Sequence, residues 1–114
     1  MESLKKNQEF KKVYNHRRSM ANRLLVLYIK KNDQGINRFG VSISRKVGKA
    51  VTRNRIKRLI KEQIRLQEKE LSVGYDMVIV VRKVAAELPK EVAFNEIGLA
   101  LFGLFAKQKI RGGQ

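Results

Sequence analysis

The sequence predicts an α/β sandwich, and three observations predict it. The apolar run at 24–29 and the segment 76–81, apolar after Asp76, have the length and β-branched content of buried strands. Residues 39–44 alternate strictly, with Phe39, Val41 and Ile43 on one face and Gly40, Ser42 and Ser44 on the other. Between this segment and the run at 76–81 lies a stretch with helical periodicity, long enough to carry the chain from one strand to a parallel neighbour.

In chain order, Asn7 is expected to cap a first helix, because Phe10, Val13 and Tyr14 follow at i, i+3 and i+4 spacing and share one face. Spacing alone favours Phe10 and Tyr14 as packing residues. The sharper alternative is a partly open aromatic pair that stacks unpaired bases. Residues 15–23 are polar and basic, and they carry the one histidine, His16. Flanked by Arg17 and Arg18 with no second ligand at hand, it is expected to be solvated or phosphate-facing rather than metal-bound.

The unbroken run Leu24 to Ile29 is expected to be a strand covered on both faces. The small, polar face of 39–44 has two readings of equal weight: an ordinary solvated face, or a floor that lets a nucleic-acid backbone approach. The long helix is expected to begin near residues 50–52 and run toward Leu71, with Gly74 as a stop signal. Its phasing puts Ile56, Leu59, Ile60, Ile64 and Leu71 on one side, and Asn54, Arg58, Lys61 and Arg65 on the other. Arg53 projects from the first turn toward the apolar side, at the mouth of a groove. A helical turn at 84–88 precedes Pro89. A last helix, about 90–109, is expected to cover a sheet face with Val92, Phe94, Ile97, Leu101, Leu104 and Phe105. Gly98 and Gly103 would each weaken it by about 1 kcal/mol relative to Ala, so both are expected to mark close packing.

The chain's 114 residues, 43% of them hydrophobic, suit one domain (1–114) with a modest core. Lys and Arg number 26 against 10 Asp and Glu, a formal net charge of +16. Self-repulsion on that scale calls for a polyanionic partner. No apolar run is long enough to span a membrane, and the polar N-terminus has no signal-peptide core, so a cytoplasmic location without membrane association is expected. The absence of cysteine removes thiol nucleophiles and cysteine-bearing zinc sites.

The basic residues concentrate at 45–61, which holds eight of them and no acid; the first acid after it is Glu62. Interleaved acids would mark a solvated helix face, whereas one sign gathered at a helix N-terminus points to nucleic acid. Gly48 and Lys49 do not make a P-loop. That motif needs glycine where Ile43 stands, and Ser or Thr in place of Ala50.

Residues 39–58, FGVSISRKVGKAVTRNRIKR, closely resemble the signature of the bacterial ribonuclease P protein subunit. The opening KKNQEFKKVY at 5–14, ANR at 21–23 and DMVIVVR at 76–82 resemble that family too, in its order, so the likeness covers nearly the whole chain. It implies a two-layer α/β (α+β) sandwich with a small mixed sheet and a left-handed β-α-β crossover, against the usual right-handed rule. It also implies that a large RNA subunit removes the 5′ leader of precursor tRNA with Mg²⁺, held mainly by the RNA subunit and substrate, while the protein assists binding.

Carried over by residue, the family's cleft for the single-stranded leader would be lined by Phe10, Tyr14, Val26 and Tyr28, with Arg53 and Lys57 at its edge. Arg45, Lys46, Asn54, Arg55, Arg58 and Lys61 match the basic signature that contacts the catalytic RNA. Lys12, Arg17, Arg18, Asn22, Arg23, Lys49 and Arg65 join them as RNA-binding candidates. Ribonuclease P RNA and precursor tRNA are the partners implied, with no obligate protein partner and no catalytic or metal-ligating residue in the protein. Two other readings stand beside this one. An architectural or ribosome-associated RNA-binding module would share the basic helix. A metal-dependent nuclease acting alone would need clustered carboxylates, and Glu62, Glu68 and Glu70 lie on one helix with basic partners of their own.

Overall fold

Alternation along the strands sends Leu25, Leu27 and Ile29 to one side of the sheet and Val26, Tyr28 and Lys30 to the other. The structure, a computed structural model, describes residues 1–110. Its elements are β1 (Glu2–Ser3), α1 (Asn7–Asn15), β2 (Ser19–Ala21), β3 (Leu25–Lys31), β4 (Arg38–Ser42), α2 (Ala50–Gln67), β5 (Tyr75–Val81) and α3 (Lys90–Lys107). Short 3₁₀ turns occupy Arg45–Val47, Glu68–Glu70 and Lys83–Glu87.

The strands form one mixed sheet of five, in the order β1-β4-β5-β3-β2. β1 runs parallel to β4 and β4 parallel to β5, while β3 is antiparallel to both β5 and β2. The parallel pair β4 and β5 is joined through α2, as the strand, helix, strand succession requires. One face of the sheet is covered by α2 and α3. Leu25, Leu27, Ile29, Met77, Ile79 and Val81 meet Ile56, Ile60, Ile64, Ile97, Leu101, Leu104 and Phe105 there, nearly all of them fully buried. The short α1 lies on part of the opposite face, over a smaller cluster of Leu4, Val13 and Val78.

Several local expectations change. β1 and β2 carry no apolar pattern, because a short edge strand is held by its ladder and not by burial. β3 is not covered on both faces; Val26 and Tyr28 stay half-buried because α1 is too short to roof them. Asn7 is the first helical residue and not the cap, which is Lys6. The Glu9 carboxylate, at the third helical position, turns back to accept the N–H of Lys5 at 2.9 Å and of Lys6 at 3.0 Å, the returning half of a capping box.

α2 stops at Gln67, where the chain tightens into the 3₁₀ turn before Leu71, and α3 stops at Lys107. Gly98 is a close-packing site: an added Cβ would stand 2.6 Å from the Gln63 amide, which donates to the Phe94 carbonyl, and Gln67 donates to the Gly98 carbonyl. Gly103 has open space around it and is not such a site. Val92 is exposed and Phe94 half-buried, so neither covers the sheet.

Candidate nucleic-acid interface

On the face that α2 and α3 leave open, strand register sets side chains in three rows. Val26, Val80 and Ser42 form one, Tyr28, Val78 and Gly40 the next, and Lys30, Asp76 and Arg38 the third. α1 crosses the middle row. The Phe10 ring lies so close to Gly40 that a Cβ there would stand 2.3 Å from its Cζ, so glycine is required for space. The small face of β4 therefore receives an aromatic ring of the chain itself. Tyr14 meets Tyr28 edge to face, with centroids 4.9 Å apart and planes at 87°. Phe10, Tyr14, Val26, Tyr28 and Val80 all remain half-buried, which leaves an apolar floor open beside the ring pair.

An ion-pair network pins α1 in that position. Arg38 donates to both carboxylate oxygens of Asp76, at 2.8 and 2.7 Å, and its third nitrogen reaches Glu9 Oε2 at 3.1 Å. Asn32 adds a bond to Asp76 Oδ1 at 2.8 Å. Burial pushes the Asp76 carboxyl up, but the Arg38 and Asn32 hydrogen bonds, with the Arg38 charge, outweigh it and hold the group below its ordinary value. Glu9 is held low by the backbone N–H groups of Lys6 and Lys5, with the Arg38 charge assisting. Arg38 is raised in turn, chiefly by its bond to Asp76.

Sequence reasoning missed this network. The available signal was an opposite charge near the head of each of two strands, which parallel pairing brings into register at Arg38 and Asp76.

The basic segment surrounds the start of α2. Val47 is buried and anchors its turn, leaving Arg45, Lys46 and Lys49 exposed. Asn54, Arg58 and Lys61 are exposed along the outer face, while Arg53, Arg55 and Lys57 are half-buried. No ion pair among the described residues involves any residue of 45–61. Arg53 is folded against its own turn, its Nε donating to the Gly48 carbonyl at 3.1 Å. It is Lys57 that lies beside Phe10, with Lys61, around a cavity of about 160 Å³ at the β1–β4 edge.

The remaining candidates divide by their partners. Lys12 and Arg17 are exposed near the end of α1, as is His16. Arg18 is committed to the end of α3, donating to the Gln108 carbonyl at 2.8 Å and its side-chain oxygen at 3.2 Å. Asn22 is a structural tie: it donates to the Ala100 carbonyl and accepts the N–H of Leu24 and Leu25. Arg65 is paired with Glu62, and Arg23 stands 4.0 Å from Glu96. Arg18 and Asn22 reach RNA only by giving up or sharing bonds already made, whereas Arg23 and Arg65 remain largely exposed. Among the described residues no group of three or more His, Asp or Glu is placed to hold a metal ion.

Comparison with known proteins gives one answer. A sequence profile described as Ribonuclease P matches residues 1–104. The ribonuclease P protein component of Clostridium botulinum (strain Loch Maree, type A3) is 49% identical over 108 residues, covering 94% of each chain. That of Clostridioides difficile is 44% identical over 108 residues, covering 94% of this chain and 91% of the other. Among solved structures, the Staphylococcus aureus RNase P protein matches with a TM-score of 0.86 at 29% identity, over 97% of this chain and 98% of that one. The Thermotoga maritima RNase P protein matches at 0.85 and 29%, over 98% and 100%.

Proposed function

The chain belongs to the ribonuclease P protein family, and from that premise we propose that its open sheet face receives the single-stranded 5′ leader of precursor tRNA while the outer face of α2 lies on the ribonuclease P RNA. Family membership carries association with that RNA in a tRNA-processing ribonucleoprotein. The leader assignment rests on one observation: half-buried rings and valines left open beside a helix whose cations up to Lys61 have no acidic partner among the described residues. A single strand presents π-faces to such a floor and phosphates to such a rim, and a duplex does not.

In this reading the RNA subunit carries the chemistry, with Mg²⁺ held mainly by RNA and substrate. Three of the acids, Asp76, Glu9 and Glu62, are engaged by arginines of the protein itself, which is compatible with that division. No helix among the described residues is long and apolar enough to cross a membrane. The reading places the assembly in the cytoplasm, without an obligate protein partner.

Tyr14→Ala tests the leader site better than a change at Phe10, whose ring also fills the space over Gly40. With the holoenzyme reconstituted, the variant should bind precursor tRNA about tenfold more weakly, the scale of one base–aromatic stack, and leave mature tRNA unaffected. Equal losses for both would favour the architectural RNA-binding module. The protein alone should leave precursor tRNA uncut, and adding it to the RNA should lower the Mg²⁺ needed for cleavage.

The basic face has its own readout. Arg58→Ala should reduce the slope of log affinity for ribonuclease P RNA against log salt by about 0.7 to 0.9, one phosphate contact, with stability changed by less than about 0.5 kcal/mol. An unchanged slope would mean that this face is only solvated.

A further inference from the structure

Phe94 is a half-buried aromatic ring that belongs to neither apolar cluster of the protein. Its backbone carbonyl is fixed by Gln63, so the ring is held where α3 approaches α2. With Leu59 it lines an open cavity of about 570 Å³, rimmed by Arg55, Arg58, Lys61 and the Glu62–Arg65 pair. Leu59 leans on the main core, so the apolar lining is backed by packed side chains. This cavity lies on the α2–α3 side of the sheet, away from the rings of α1. Lys61 lines both it and the cavity beside Phe10, which makes the cationic edge continuous between the two layers.

We propose that this cavity is a socket for one unpaired nucleobase of ribonuclease P RNA, stacked on Phe94 against Leu59, with the flanking phosphates on Arg55 and Arg58. The proposal rests on the reading of α2 as RNA-facing and adds to it a contact that charge alone does not supply. Charge complementarity selects the occupant. Among the described residues the rim cations Arg55, Arg58 and Lys61 have no acidic partner, and a polyanion satisfies them. A duplex offers phosphates but keeps its bases stacked inside, so it leaves the apolar floor uncovered. An extruded base covers ring and phosphate sites together.

The chain contains no tryptophan, so Phe94→Trp introduces a single indole at the socket. Titrating that variant with ribonuclease P RNA should quench the indole along the binding isotherm and shield it from iodide. Phe94→Ala should weaken binding to the same RNA about tenfold at every salt concentration, with the salt slope unchanged, because a stacked base releases no counterion. Arg58→Ala shows the opposite pattern, a lower slope. Unchanged emission while a mobility shift reports full binding, or an affinity within about twofold of wild type for Phe94→Ala, overturns the socket and leaves the face to another partner, such as an acidic peptide. Failure of the wild-type protein to bind ribonuclease P RNA at all would instead overturn the reading of α2 on which the socket rests. The two failures are therefore distinct.

Discussion

Arg38→Ala should lower the free energy of unfolding by about 3 kcal/mol, read from the denaturant midpoint at an unchanged m-value. The guanidinium holds three carboxylate oxygens on two elements, and its removal leaves Asp76, only 8% exposed, as a buried charge with Asn32 as its remaining side-chain partner. Losing one member of a buried pair costs more than the pair contributes, because the survivor stays desolvated. The lower end of the usual range applies here, since both partners keep some contact with water.

The pH dependence gives an independent check. In the wild type Asp76 is held below its unfolded value, so its contribution is complete above the ordinary carboxylate range and is lost as pH falls through the depressed value. In the variant burial acts with far less opposition and favours the protonated form, so the stability gap between the two proteins should narrow in acid. A gap that stays constant down to low pH would show that the pair is not the source of the effect.

Gly40→Val should cost about 2 kcal/mol and reduce discrimination between precursor and mature tRNA about tenfold. A Cβ at this position would stand 2.3 and 2.7 Å from Cζ and Cε2 of Phe10, so either the ring leaves the sheet or β4 shifts. Displacing the ring disturbs α1 and with it the Tyr14–Tyr28 pair. The decisive measurement is a double-mutant cycle with Phe10→Ala: once the ring is gone the valine meets less resistance, and the two losses should add to well under their sum. Strict additivity would remove Phe10 as the cause.

Gly40 also shows how far the sequence could be read. The alternation of 39–44 correctly marks a strand with one small face, and leaves open whether that face meets water or a nucleic-acid backbone. The occupant over Gly40 is Phe10, thirty positions earlier in the chain, and no local pattern announces such a pairing. The half-covered state of β3 has the same origin. Leu24 to Ile29 is apolar throughout, but whether both faces are roofed depends on the length and position of α1.

The cations divide likewise. Helical phasing correctly exposes Asn54, Arg58 and Lys61, because periodicity along one helix needs no partner to be read. It also sends Arg53 toward the groove, where the Gly48 carbonyl holds it instead. The interior duties of Arg18 and Asn22 depend on Gln108 and Ala100, far along the chain.

Periodicity, charge content and an extended signature are properties of neighbouring residues. They suffice for the strands β3 to β5, the three helices, the basic face and the family. Side-chain partnerships between distant segments are decided by strand register and helix packing, which have no counterpart in any local stretch. Arg38 meets Asp76 across 38 positions only because β4 and β5 pair in parallel, and the same guanidinium reaches Glu9 on α1. The aromatic floor beside the basic helix is the consequence: its residues are legible one by one, and its shape belongs to the fold.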